Sequence, residues 1–558
     1  MWFGKAFGIG RITGWCMRRV AFVLLLSVIV PKVVWGEELS LHERIDELVD
    51  REAAGTAWPL ADDAEFFRRV NLDLSGCIPT ADETRQFLSD TNPNKRAAAI
   101  DRLLASPRYV EQMTDQFQIM LMEQRGTHAD WERFLKGAFE QNRPWNEIAR
   151  DILKPVKDDE SRRGAAYFHT RRLEKVGENP TDYPGLTRDV GRLFLGIDLQ
   201  CAECHDHLFI DDYKQREFQG LFAVYSNLSI GKEGFPAIDE KVLKEPLRFV
   251  SVFESEPKLT GPRVPFGTEF PIPEAPPTAA SDKAKEQAAA TGPSPMAQLA
   301  DAIVANDQRL FQQNIANRVW FLLMGRGLVE PLDQFHSANP ASNPELLELL
   351  SQEFAAHGFD LKWLIREIVL SKTWQRSSLG PVGVEGQVTG DGDASDGDSK
   401  GKGLWQQARQ RNLSAHQMFL STLQATGNME RLRGPSPDAP AEAYTKLRVK
   451  FVATMATEPK EPMLGYVPSV KEAAFLSNDG DLLDLLKPHP GNLMEKLVAA
   501  PDAEIPDAIY LHLFVRLPDD EEREFITTTL KQAKADRQVI LRDLVWAMLS
   551  STEFRLNH

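Results

Sequence analysis

A chain of 558 residues that is 42% hydrophobic and 26% charged has ordinary globular composition and enough apolar material for more than one core. Its formal net charge of −16 leaves no broad basic surface to neutralise phosphates or to seek anionic lipid, which excludes nucleic acid as a partner class. With 4 cysteines in the whole chain it is not a disulfide scaffold either.

The first residues read as a secretory signal. Lys5, Arg11, Arg18 and Arg19 precede the apolar run Val20 to Val30, and Val34-Trp35-Gly36 offers small residues where signal peptidase cuts, so residues 1–36 are expected to be removed after Gly36. The run is short for a membrane span and Pro31 and Lys32 close it, so no stable membrane insertion is expected after cleavage, an uncleaved anchor being the alternative reading. Cys16 leaves with the signal, and the mature chain keeps Cys77, Cys201 and Cys204. A periplasmic or otherwise exported location follows.

The remainder reads as mainly α: two helical domains with a small β element between them. In residues 37–256, Thr80 with Glu83 forms a capping box, and Ser106 with Pro107 supplies a cap and a first-turn proline. From Pro184 to Leu199, the residues Leu186, Val190, Leu193, Phe194 and Ile197 recur at helical spacing, which places Cys201 at a helix end. Leu247, Phe249, Ser251 and Phe253 alternate as a strand does. Residues 257–297 form a Pro/Ala-rich linker with room for strands.

Residues 298–558 form the second domain. A helix through Leu310, Ile315, Val319 and Trp320 stops at Gly325; Asn343-Pro344 opens another that ends at Gly358; Asp360 caps a third. Residues 380–403, with Asp391, Asp393, Asp396 and Asp398 among glycines, read as a flexible insert; these aspartates lack the closing Glu of a calcium loop. Ser414 with Gln417 makes a further capping box, and Asp507 to Phe554 reads as two helices.

One motif carries specific chemistry: Cys201-Ala202-Glu203-Cys204-His205 has the order and spacing of a c-type haem attachment site. Two thiols three positions apart can add to the two haem vinyl groups, and the adjacent His205 can ligate the iron. With 4 Cys and 11 His in the chain, chance placement gives this pattern on the order of once in a thousand such sequences. Export agrees with it, because such haem is attached beyond the membrane. Two other readings stay open. Cys201 and Cys204 can form a local disulfide staple or a redox dithiol, or Cys201, Cys204, His205 and His207 can bind zinc with Asp206 or Asp211. A distal haem ligand is not fixed: His207, His169, Met113, Met120 and Met122 are the candidates, and no Met lies between His205 and Met296. No phosphate loop, nucleophile elbow or His-Glu-x-x-His helix is present, so no catalytic residue is named; Asp211 and Asp212 read as solvated acids before an acid/base pair.

Arg68-Arg69-Val70-Asn71-Leu72-Asp73-Leu74-Ser75-Gly76, then Ile78-Pro79-Thr80, and Leu195 to His207 through the motif resemble the planctomycete cytochrome-like domain of unknown function. Asn317-Arg318-Val319-Trp320, Gly325 to Pro331, Asn343 to Leu347, Gly358-Phe359-Asp360-Leu361 and Glu553-Phe554 resemble its usual companion domain. The sequence departs from the first pattern at Leu208, where Pro is common, and at Cys77. The resemblance implies an exported two-module protein with a cytochrome signature and no known substrate. The expected role is haem-based electron transfer to a redox partner; the alternatives are a non-enzymatic scaffold that binds a protein partner and a zinc-dependent hydrolase.

Overall fold

In the computed structural model the described residues are 39–52, 58–241, 243–272, 294–379, 404–434, 441–455, 470–532 and 535–558. The expected signal at 1–36, most of the Pro/Ala run and the insert at 380–403 with its aspartates lie outside them. Leu41–His558 form one compact unit. Both helical modules expected from the sequence lie within it and contribute to one cluster of buried apolar side chains.

The chain is mainly helical. Helices α1 (Leu41–Glu52), α2 (Asp63–Ser75), α3 (Ala81–Ser89), α4 (Lys95–Leu104) and α5 (Pro107–Met122) begin the first module. Local chemistry sets their ends. Asp62 accepts from the Glu65 amide at the start of α2, and Gly76, at φ 72°, turns the chain out of it. Thr80 and Glu83 make the reciprocal capping box of α3, and Ser106 with Pro107 opens α5.

Helix α2 is buried on every side, which explains its unusual mix of residues. Phe66, Phe67, Val70, Leu72 and Leu74 are wholly buried, and so are the charged Arg68, Arg69 and Asp73. Each charge has a remote partner. Arg68 donates to the carbonyls of Leu513 (3.1 Å), Phe554 (2.8 Å) and Leu556 (3.1 Å). Asp73 accepts from Arg411 through both oxygens and from Asn557 at 2.7 Å. Arg69 donates to the carbonyls of Trp374 and Arg376, both at 2.8 Å. The helix thus ties the start of the chain to its end. Helix α1 packs on the helices Pro344–Ala356 and Leu361–Leu370 of the second module.

Three two-stranded antiparallel pairs complete the described secondary structure: β1 (Leu228–Ile230) with β2 (Ile238–Glu240), β3 (Leu247–Phe249) with β4 (Lys258–Thr260), and Arg411–Asn412 with Leu556–Asn557. The expected strand through Phe253 is therefore shorter: Ser251 and Phe253 lie beyond β3, in the loop that returns to β4. Within the expected linker, β4 forms and Pro295–Ile303 is already helical, capped by Ser294. Between Asp507 and Phe554 the structure has more than the two expected helices, namely the end of Ile505–Leu513, then Asp520–Gln532, Arg537–Leu549 and Thr552–Arg555. Val515 at φ 65° and Pro518 break the first join, and Asp536 and Ser551 recap the chain after the next two.

Candidate functional site

The helix Tyr183–Val190 starts at Asp182, whose side chain accepts from the Gly185 amide, and runs on as a π-helical turn over Gly191–Leu195. Gly196 ends it in the left-handed region at φ 70°, and a Cβ there would stand 2.6 Å from the Phe335 ring. Cys201 is consequently not at the end of this helix, as the periodicity implies. It opens a separate 3₁₀ turn, Cys201–Glu203, prepared by Asp198, whose carboxylate accepts from the Gln200 amide at 2.9 Å. A 3₁₀ turn repeats every three residues, so Cys201 and Cys204 emerge on one side, and both are exposed with buried Ala202 between them. Both thiols are free; the local staple is not formed.

Several contacts hold this turn. Glu203 pairs with Arg188, and its carbonyl accepts from Gln219 Nε2 at 2.9 Å. Asp206 Oδ1 accepts at 2.9 Å from the amide of Gln215, the first residue of the helix Gln215–Tyr225. The Val252 amide donates to the Cys204 carbonyl at 3.1 Å, which lays the loop after β3 alongside the motif.

The two histidines face their surroundings differently. His205 Nδ1 lies 2.6 Å from the Asp206 carbonyl oxygen, which can only accept, so Nδ1 carries the proton and Nε2 the lone pair. Its ring rests against Phe253, centroids 4.8 Å apart. His207 Nδ1 instead accepts from the amides of Phe209 (3.1 Å) and Ile210 (2.9 Å), which puts the proton of the neutral ring on Nε2. His207 is thereby committed to shaping the loop.

The remaining candidates are dispersed. His169 is fully buried, its Nε2 donates to the Ile152 carbonyl at 2.8 Å, and burial pushes it down to about 3. Met113 and Met122 are buried in the core, where Met122 Sδ accepts from Arg172 at 3.7 Å, and Met120 packs against that core. Asp211 is fully exposed, whereas Asp212 accepts from the Ser337 amide and hydroxyl and is held below the usual carboxylate range by them. They do not form an acid/base pair. Among the described residues no group of three or more His, Cys, Asp and Glu side chains is placed to hold a metal ion.

Beneath the site lies a buried ion network. Asp189 accepts from Arg172 (2.7 Å), Arg192 (2.9 Å) and Arg125 (3.0 Å), and Arg192 also pairs with Glu123 (2.9 Å) and Asp333 (3.2 Å). Burial alone would raise the Asp189 carboxyl, but the three arginines outweigh it and hold it down at about 2. Sequence patterning does not reveal this network, nor the roles of Phe335 and Ser337, which act from far along the chain, nor those of Tyr213, Gln215 and Phe253, whose contacts with the motif follow no helical or strand period.

Residues 44–229 match the family described as Protein of unknown function (DUF1549), and residues 296–530 match Protein of unknown function (DUF1553). No curated protein and no solved structure matches the chain. Among the described residues no helix is long and apolar enough to cross a membrane. The cysteine–histidine turn lies inside the first matched segment, and the chain carries the two matched segments, each of a family of unknown function, in this order.

Proposed function

We propose that Cys201, Cys204 and His205 hold a c-type haem and that the protein, exported to the periplasm or beyond, passes electrons to a protein partner. One observation carries this reading: two free, exposed thiols stand beside a histidine whose Nδ1 is engaged by a backbone carbonyl and whose Nε2 lone pair is left for iron. Metal-ligating histidines are commonly fixed by such a bond from the other ring nitrogen. The donor set fits the group.

The surroundings support it as well. Leu208, Phe209, Val250, Val252 and Phe253 are large apolar residues exposed at 65%, 87%, 47%, 66% and 68% on the segments that flank the motif. Water-facing apolar side chains gathered at one place suit an apolar ligand. Each thiol would add across a vinyl group, its hydrogen passing to the vinyl carbon not bonded to sulfur. His205 would ligate the iron, Phe253 would hold the His205 ring in place, and the Asp206 carbonyl would keep its proton on Nδ1. A haem bound there supplies one-electron transfer at its iron. Neither buried His169 nor the core residues Met113 and Met122 share the surface position of His205.

The test is a denaturing gel stained for haem peroxidase activity, run on full-length protein expressed with a c-type maturation system. A stained band that disappears in the Cys201→Ser/Cys204→Ser variant is the expected result. An unstained band from folded protein would turn the reading to a scaffold, or to zinc if metal analysis found it in stoichiometric amount.

A further inference from the structure

Residues 333–337, in the second matched segment, grip both ends of the loop that carries the cysteines. Upstream of the loop, the Phe335 amide donates to the Gly196 carbonyl at 3.0 Å, Ile197 and Gln334 form an antiparallel bridge, and Arg192 donates to Asp333. Downstream, the Ser337 amide and hydroxyl donate to Asp212 Oδ2 at 2.7 and 2.6 Å. Between these points the Tyr213 hydroxyl donates to the Phe335 carbonyl at 3.0 Å, and the His336 ring meets Tyr213 edge-on with centroids 5.4 Å apart. Tyr213 in turn accepts the His207 amide at 2.8 Å.

The loop from Asp198 to Asp211 has little regular structure of its own beyond the 3₁₀ turn. Three ligating atoms on such a loop would have to be brought together at the moment of binding, with a cost in conformational entropy. Fixing both ends of the loop to one external segment removes much of that cost beforehand.

We infer that Phe335 and Ser337, with Asp212 as the acceptor, are positioning residues for the cysteine–histidine loop, so that the second family segment completes a site whose ligating residues all lie in the first. The inference rests on the haem reading for the identity of the ligand, and on the hydrogen bonds above for the clasp itself. Phe335 is buried and its replacement endangers the fold, whereas Ser337 is exposed and Asp212 half-buried. The test therefore uses the full chain with Asp212→Ala, Ser337→Ala and Asp212→Asn, the last of which keeps an oxygen that can accept.

Amide hydrogen exchange is measured first, on protein without haem. Exchange at His207, Phe209 and Ile210 is expected to quicken about tenfold or more in the two alanine variants and to return toward wild type in Asp212→Asn, with the melting temperature of all three unchanged. Covalent haem yield under the maturation system is then expected to fall several-fold in the alanine variants and to recover in Asp212→Asn. Wild-type exchange rates in folded Asp212→Ala would overturn the clasp. Quickened exchange in the variants, with no haem on the wild type, would uphold the clasp and overturn the haem reading alone.

Discussion

His205 and His207, two positions apart, carry their ring protons on opposite nitrogens: the first donates from Nδ1 to the Asp206 carbonyl, the second accepts at Nδ1 from the amides of Phe209 and Ile210. The motif makes His205 the iron ligand and leaves His207 among several distal candidates, and the backbone around them separates the two further. A neutral imidazole that accepts at Nδ1 has no lone pair left on Nε2.

Replacements of the two should therefore separate. His205→Ala is expected to abolish the histidine-ligated haem spectrum, while His207→Ala leaves that spectrum in place and loosens the loop, at a cost of about 0.5–1.5 kcal/mol for two solvent-accessible amides that exchange their acceptor for water. Absorbance spectra of the purified variants and urea titrations measure both. A haem spectrum lost in His207→Ala and kept in His205→Ala would reverse the assignment.

Phe253 touches the His205 ring yet is mostly exposed. Its replacement by Ala in protein without haem should shift stability by no more than about 0.5 kcal/mol, as for most surface positions. In protein matured with haem the same change should lower covalent haem content. Equal haem content in the two proteins would remove Phe253 from the site.

The Asp189 network makes a prediction in pH. Its carboxyl sits at about 2 in the folded protein, against roughly 3.9 when unfolded. Between those values the unfolded chain binds more protons, so the Asp189 contribution is fully present above about pH 4 and is lost as pH falls toward 2. The difference is worth about 2.5 kcal/mol. Asp189→Asn should be less stable than wild type at pH 7, with a gap that narrows by that amount across this window in urea titrations. A gap independent of pH would contradict the ion pairing.

His169 gives the opposite case, a base kept neutral. Burial lowers it to about 3, so the unfolded chain takes up a proton first, near pH ~6.5, and stability declines as pH falls below that value. His169→Gln should flatten this decline without changing the haem spectrum. A spectral change would restore His169 as a ligand.

How much of this was legible in the sequence depended on range. Thr80 with Glu83, Ser106 with Pro107, Asn343 with Pro344, and Gly325 mark helix ends through bonds within one turn, and the structure places helix ends at each of them. The five-residue motif is equally local. The end of the helix before Cys201 was not, since Gly196 leaves the helical region where Phe335 packs against it from far along the chain. No local pattern marks Arg68 and Asp73 as buried, and their bonds to the C-terminal segment show why they are. Charge pairs and loop clasps between distant segments leave no period in the sequence, and such contacts hold the segments on either side of the motif.

Intact-mass spectrometry on the full chain, coexpressed with a c-type maturation system and recovered from the periplasm, weighs the group attached at Cys201 and Cys204 itself. The expected result is a mature chain heavier by one haem, with the addition lost in Cys201→Ser/Cys204→Ser and retained in His207→Ala. A folded wild-type chain at its bare polypeptide mass would contradict it.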